Sequence, residues 1–309
     1  MKAKKILVIG SSNTDMVIKT TKFPSPGETI LGGDFFMNAG GKGANQAVAA
    51  KRLGGTVSFL GKIGTDMFGQ QAIQLLKEEG INVDSVRTSP EKPSGMALIT
   101  IDSNGENSIV VAPGANETLL PDDIDETISE IEVSDIILLQ LEIPLSTVNY
   151  VAEIASKKGK KVVLNPAPAA QLTDTLLKNL YMLIPNETEA ELLTGVRIIN
   201  EKSAEKAALL LKRKGVEIVI ITMGAAGAYV FSDDFTGMIK APTVKAVDTT
   251  SAGDTFCGAL VAELGGGRNL NEALEFAAAA AAICVTRMGA QPSIPSEKEV
   301  REFLINKNN

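Results

Sequence analysis

"DTTSAGDTFCGAL", residues 248–260, joins a β-like piece ending in Val247-Asp248 to an apolar helix through a loop of small residues. Strand, loop and helix in that order form the unit from which open α/β sheets are built. Small residues let backbone N–H groups come close to a ligand. A helix start adds unpaired amides and the positive end of a dipole. The stretch therefore reads as an anion site. Asp254 sits in the same first turn. A carboxylate there either serves the helix start or does chemistry, and the local sequence supports both equally.

Outward from this stretch the same alternation repeats. Strands are expected at 5–9, 57–60, 136–140, 161–164, 181–184 and 217–222, and helices at 43–53, 66–79, 145–158, 201–214, 252–264 and 271–286. Several strand candidates, such as "KILVI" and "IILLQ", are continuous apolar runs, as in strands covered on both faces. The expected fold is α/β: a doubly wound, mostly parallel sheet with helices on both faces, in one domain spanning 1–309. Residues 14–36 and 96–111 break the rhythm. The first carries Pro24, Pro26, Gly27, Gly32 and Gly33 between β-like pieces, and the second reads as a hairpin turning at Asp102-Ser103-Asn104-Gly105. They are either two surface excursions or a small β-sheet lid from about 14–38 and 95–112. The lid is favoured, because open α/β sheets bind ligands at the carboxyl ends of their strands and such sites need covering.

Composition narrows the chemistry. The 309 residues are 44% hydrophobic and 22% charged, with net charge −7, so nothing pulls the chain toward nucleic acid or a membrane surface. There is no histidine, which removes Ser-His-Asp triads, His metal sites and imidazole bases. Acid–base work falls to Asp, Glu, Lys or Tyr. Cys257 and Cys284 both lie in apolar, helical-looking sequence, which fits a reducing cytoplasm rather than a disulfide framework. The basic start "MKAKK" precedes only a four-residue apolar run, so a first strand is expected there rather than a signal peptide. No apolar stretch reaches the ~18 residues of a membrane span.

Further candidates, all but one glycine run, follow predicted strands, and so gather on one rim of the sheet. Asn13 and Asp15 in "GSSNTD" share a face in extended chain and suit vicinal hydroxyls, or else form an Asx turn. Glu142 follows another strand. "NPAPA" at 165–169 reads as a structural loop. Asn186 and Glu189 in "NETE" share a helix face; they could hold a hydrated Mg²⁺ beside phosphates, or form a capping box. "TMGAAG" at 222–227 is a glycine-edged loop suited to a nucleotide. The glycine run "NAGGKGANQA" at 38–47 opens a helix without matching either the P-loop or the GxGxxG pattern. Its glycines allow close approach, and Lys42 and Asn45 could bond hydroxyls.

Together these residues resemble the ribokinase-type (PfkB) carbohydrate kinases over essentially the whole chain. "GGKGANQA" at 40–47 is similar to that family's N-terminal signature and "DTTSAGDTF" at 248–256 to its C-terminal one; "NETE", "NPAPA" and "VTRMGAQPSIP" at 285–295 also match. The resemblance implies transfer of the ATP γ-phosphoryl group to a sugar hydroxyl, here the 5-hydroxyl of D-ribose. It implies Asp254 as general base and the Ala252, Gly253 and Asp254 amides as an anion hole. Asn13, Asp15, Gly41, Lys42, Asn45 and Glu142 become sugar contacts. Asn186, Glu189, Thr222, Gly224, Gly227, Gly253 and Ala278 become ATP contacts, with Glu189 reaching Mg²⁺ through water. Asp248, Thr250, Cys284, Arg287, Gly289 and Ser293 become an activating K⁺ site, mostly through backbone carbonyls. A homodimer through the lids is also implied. Three positions depart from the pattern. Ser251 stands where Gly or Ala is usual, "TMGAAG" lacks polar residues between its glycines, and Ala278 replaces a larger adenine-side residue.

The rival substrates are deoxyribose, fructose or a nucleoside; polar Asn13, Asp15, Lys42 and Glu142 favour a compact polyol. A catalytically dead sugar sensor would have lost Asp254 or the anion loop, and both are intact. A Rossmann-type oxidoreductase would need a glycine fingerprint that is absent.

Overall fold

The structure is a computed structural model that describes residues 3–307. Met1 and Lys2, the head of the basic N-terminal start, lie outside the described residues, as do Asn308 and Asn309. The strands are β1 (Lys5–Ile9), β2 (Asn13–Lys19), β3 (Phe35–Gly40), β4 (Thr56–Leu60), β5 (Lys62–Gly64), β6 (Arg87–Ser89), β7 (Gly95–Ile101), β8 (Asn107–Ala112), β9 (Ile136–Leu139), β10 (Lys161–Leu164), β11 (Met182–Leu183), β12 (Ile218–Thr222), β13 (Ala228–Phe231) and β14 (Thr236–Ile239). The helices are α1 (Lys42–Arg52), α2 (Met67–Glu78), α3 (Pro121–Asp125), α4 (Ile128–Val133), α5 (Leu145–Lys157), α6 (Asp174–Lys178), α7 (Glu187–Thr194), α8 (Glu201–Arg213), α9 (Ala252–Gly265), α10 (Leu270–Cys284) and α11 (Glu297–Lys307).

Eight strands form the central sheet in the order β14-β13-β12-β11-β10-β9-β1-β4. From β4 to β12 every pairing is parallel, whereas β13 and β14 add an antiparallel edge. The chain moves from β1 to β4 on one side and later to β9 on the other, so β1 is the topological switch point, where α/β sheets open a crevice. The apolar runs are explained by burial on both faces. In β1, Ile6 and Val8 face a layer containing residues of α1, α9 and α10, while Leu7 and Ile9 face one containing residues of α5 and α8.

The two stretches that break the α/β rhythm meet in a separate four-stranded sheet, β3-β2-β7-β8. β2 pairs in parallel with β7, with Asn13 opposite Gly95. The hairpin turn is closed by Asp102, whose Oδ1 accepts from the N–H groups of Asn104 and Glu106. The sheet carries exposed apolar side chains: Phe35, Met37, Leu98, Ile109, Val110 and Val111.

Some expectations need correction. The strand expected at 181–184 narrows to two residues, and residues 20–34 hold no strand, because prolines and glycines interrupt them. The hairpin β13–β14 was not anticipated. Its strands have four residues each and Gly237 lies inside one, so no alternation develops. Among the described residues no helix is long and apolar enough to cross a membrane.

Candidate active site

The carboxyl ends of the parallel strands gather polar groups on one rim, most of them expected. Gly10 follows β1, Glu142 follows β9, Asn165 follows β10, Asn186 follows β11, and Thr222 ends β12. Ser11 Oγ donates to Glu142 Oε2 at 2.5 Å, across the crevice beside β1. A cavity of about 200 Å³ opens on this rim. Its lining includes Asn186, Glu189, Thr222, Ser251 to Asp254, Lys42 and Asn165.

Helix α1 begins at Gly41, whose φ of 86° suits glycine and which carries no side-chain cap. Glu142 takes over that task from a distance of 100 residues, its Oε2 accepting from the Lys42 N–H at 3.0 Å. The run "GGKG" is thus the place where α1 starts against the β1 crevice. A Cβ on Gly41 would lie 2.8 Å from the Asn13 nitrogen.

Asp254 is 7% exposed, and its carboxylate does not cap its own helix. Oδ1 accepts from Gln46 Nε2 at 2.9 Å and Oδ2 from Asn45 Nδ2 at 3.1 Å. The carboxylate therefore does not close the start of its own helix: its oxygens turn toward α1. The α9 start has no side-chain cap at all. Nothing lies within 4 Å of a Cβ built on Gly253, so the space above that turn is open. Ser251 precedes the helix in the left-handed region, φ 59°, and its Oγ accepts from Asn45 Nδ2 at 3.1 Å. Among the described residues it is the one non-glycine with positive φ.

Asn186 and Glu189 do form a capping box. Asn186 Oδ1 accepts from the Glu189 N–H at 2.9 Å, and Glu189 Oε2 accepts from the Asn186 N–H at 2.9 Å. Glu189 still lines the cavity, and burial pushes its carboxyl above the usual range, with Asp254 adding to the rise.

Asn13 and Asp15 begin β2 rather than ending β1. Asn13 Oδ1 accepts from Asn116 Nδ2 at 2.8 Å. Burial, helped by the charges of Glu142 and Asp254, raises the Asp15 carboxyl to about 7. Burial by itself would lower the Lys42 ammonium, but Asp254, Glu142 and Glu189 outweigh it and raise it overall.

The C-terminal group also assembles. Asp248 Oδ1 accepts from the Thr250 N–H at 2.9 Å and Oδ2 from the Gly289 N–H at 2.8 Å. Cys284 Sγ lies 3.0 Å from Ser293 Oγ and 3.8 Å from the Thr250 carbonyl. The Arg287 side chain instead meets Glu299 at 2.5 Å. Gly224, Gly227 and Ala278 stand apart from the cavity lining, as do Asn13, Asp15, Gly41, Asn45 and Glu142, and Ala278 packs into the core.

Gln46, Gln140 and Asn165 were missed as site residues. They form one amide network with Asp254. Nothing local marks them: Gln46 is noticeable only for failing a glycine pattern, and Asn165 sits in a loop that reads as structural.

Comparison with known proteins follows the same outline. The chain is 48% identical over 301 residues to a ribokinase of Haemophilus influenzae, covering 97% of this chain and 98% of that protein. It is 39% identical over 300 residues to a deoxyribokinase of Salmonella typhi, at 97% and 98% coverage. A ribokinase of Arabidopsis thaliana, solved in complex with ribose and ATP, superposes with a TM-score of 0.92 at 34% identity, covering 98% of this chain and 99% of that one. Residues 3–297 match the pfkB family carbohydrate kinase profile, and the chain therefore belongs to the pfkB family of carbohydrate kinases.

Proposed function

We propose that the chain transfers the γ-phosphoryl group of ATP to the 5-hydroxyl of D-ribose, with Asp254 as general base. One observation carries this: a buried carboxylate stands on a cavity wall at an uncapped helix start, held from the side by Asn45 and Gln46. The similarity to ribokinases, one of them solved with ribose and ATP, supports the substrate pair.

Asp254 accepts the hydroxyl proton as the bond to phosphorus forms, since a free alcohol is too weak an acid to ionise first. The amides of Gly253 and Asp254, and that of Ala252 in exchange for its long 3.3 Å bond to the Thr249 carbonyl, meet the charge that develops on the phosphoryl oxygens, with the α9 dipole behind them. The open space over Gly253 fits a phosphate there. Asn13, Asp15, Gly41, Lys42, Asn45 and Glu142 orient the sugar. Asn186 and Thr222, joined by a β-bridge, face the nucleotide with Gly224 and Gly227, and Ala278 borders the adenine side.

A divalent ion arriving with ATP supplies charge neutralisation at the β- and γ-phosphates. Among the described residues no group of three or more carboxylates or thiols is placed to ligate it directly. Glu189, whose oxygens already accept from Asn186, suits contact through water. For K⁺, the Thr250 carbonyl and the Asp248 carboxylate are oxygen donors of the kind that replaces a monovalent ion's hydration. Gly289 and Ser293 complete the loop, Arg287 through its backbone, while burial keeps the Cys284 thiol protonated.

The separate sheet acts as the lid, excluding water during transfer. Its exposed apolar side chains support pairing of two copies through the lids. The two buried free thiols fit the cytoplasm.

The test is ATP consumption with ribose, deoxyribose, fructose and adenosine, with and without K⁺. Fastest turnover is expected on ribose with K⁺ present. Because a deoxyribokinase is 39% identical, 2-deoxyribose is the competing substrate. Faster turnover on it would reassign the sugar, and no turnover on any would remove the enzyme reading.

A further inference from the structure

Two side chains of α1 bond to Asp254, but they are held differently. Asn45 divides its Nδ2 between Asp254 and Ser251, and its Oδ1 is buried without a partner. Gln46 is fully buried and fully engaged. Its Nε2 donates to Asp254 Oδ1 at 2.9 Å and to Asn165 Oδ1 at 3.0 Å, and its Oε1 accepts from Gln140 Nε2 at 2.6 Å. Asn165 Nδ2 in turn donates to the Ile184 carbonyl at 2.9 Å.

A carboxamide turned by half a revolution keeps its shape and exchanges donors for an acceptor, so its partners alone select the orientation. Turned over, Gln46 would aim its oxygen at two acceptors and its NH₂ at the Gln140 donor. Asn165, anchored on the Ile184 carbonyl, and Gln140, just after β9, together select which face of Gln46 meets Asp254. Gln140 packs against Gly10, where a Cβ would fall 2.0 Å from its Oε1, and that oxygen is buried without a partner. The charged and titratable groups facing Asp254 are Lys42 on α1, Asp15 on β2, Glu189 on α7, Cys257 on α9 and Cys284 at the end of α10. Two of these are carboxyl groups, so a neutral donor in a fixed orientation is what keeps the Asp254 carboxylate aimed.

We infer that Gln46, oriented by Gln140 and Asn165, is a positioning residue that holds the Asp254 carboxylate in line with the acceptor hydroxyl. The inference rests on the reading of Asp254 as base.

The pH dependence of kcat tests it. Gln46→Glu keeps the volume but sets a second carboxyl group against Asp254 Oδ1, and two such groups share a proton. The acid limb of the profile should move up by about one pH unit or more, lowering kcat about tenfold at the pH of the wild-type limb. Activity should recover at higher pH, with the sugar KM changed less than about threefold. Gln140→Met removes the remote donor and should move the same limb the same way by a smaller amount. An acid limb left in place in both variants overturns the inference, even if kcat falls uniformly. If Gln46→Glu fails to fold by circular dichroism, Gln140→Met decides alone. Asp254→Asn runs in parallel. If it stays active, the base reading is what fails. If it is inactive while both limbs stay put, only the role of Gln46 fails.

Discussion

Helices α7 and α9 both begin at the same cavity, and they treat their starts in opposite ways. α7 is closed by its own side chains, Asn186 and Glu189 satisfying each other's N–H groups. α9 has a residue in the left-handed region before it, no side-chain cap, and an Asp in its first turn that bonds to another helix. A closed start is a stability device. An open one leaves N–H groups and dipole available to an anion, at some cost to the free protein. Acidic residues in both first turns look alike in sequence; only their partners separate them.

Breaking α9 should therefore cost function, and breaking α7 should cost stability. Asp254→Asn comes first, with an expected fall of about 10³-fold in sugar-dependent ADP formation. Ribose and nucleotide binding, measured by calorimetry, should persist. Retention within tenfold of wild type would falsify the role given to this carboxylate. Gly253→Ala is next. Its methyl enters the open space over the turn, so kcat/KM for ATP should drop about 10- to 100-fold. Alanine favours helix by up to about 1 kcal/mol over glycine, so the melting temperature should hold or rise. Loss of both activity and stability would make the α9 start a structural feature like α7.

Asp15 supplies a pH-dependent version of the contrast. Its folded value of about 7 lies above the ordinary 3.8. A raised carboxyl contributes stability below the lower value and loses it as pH rises through the upper one. In the sugar-free protein Asp15→Asn should therefore raise the melting temperature more at pH 8 than at pH 5. An equal change at both would mean the site does not hold this group protonated. Asn186→Ala removes the box at α7 and should lower the urea-unfolding free energy by about 1 kcal/mol, more than Gly253→Ala does. The smallest effect belongs to Ser251→Gly. Relief of the left-handed backbone gains about 1 kcal/mol, and loss of the Asn45–Ser251 bond costs about as much. The two should nearly cancel in the same urea titration.

Much of this was legible beforehand because it is local. Continuous apolar runs mark β1, β9, β10 and β12, and helical apolar patterns mark α1, α5, α8 and α9. The gathering of groups on one rim follows from strand polarity. Two kinds of feature were not legible. Short strands such as β13 and β14 owe their existence to a neighbour's free edge, which leaves no periodicity in their own four residues. The amide network joins Gln46 to Asn165 and Asp254, 119 and 208 residues away. No spacing rule reaches across such distances. Ser251, which the resemblance left unexplained, has a contact in the structure, Asn45, that no local pattern indicated.

Every residue of β8 is exposed, and the strand lies at the end of its sheet. For a polypeptide newly released from the ribosome that is a hazard, since an unpaired apolar strand can template intermolecular cross-β growth. The run Ile109–Ala112 carries neither charge nor proline, yet it is fenced by Glu106, Asn107 and Ser108 on one side and Pro113 on the other. Such flanking gatekeepers limit propagation to four apolar residues. The edge of this sheet thus stays uncovered while offering only a short apolar run, bounded by those four flanking side chains, for such growth.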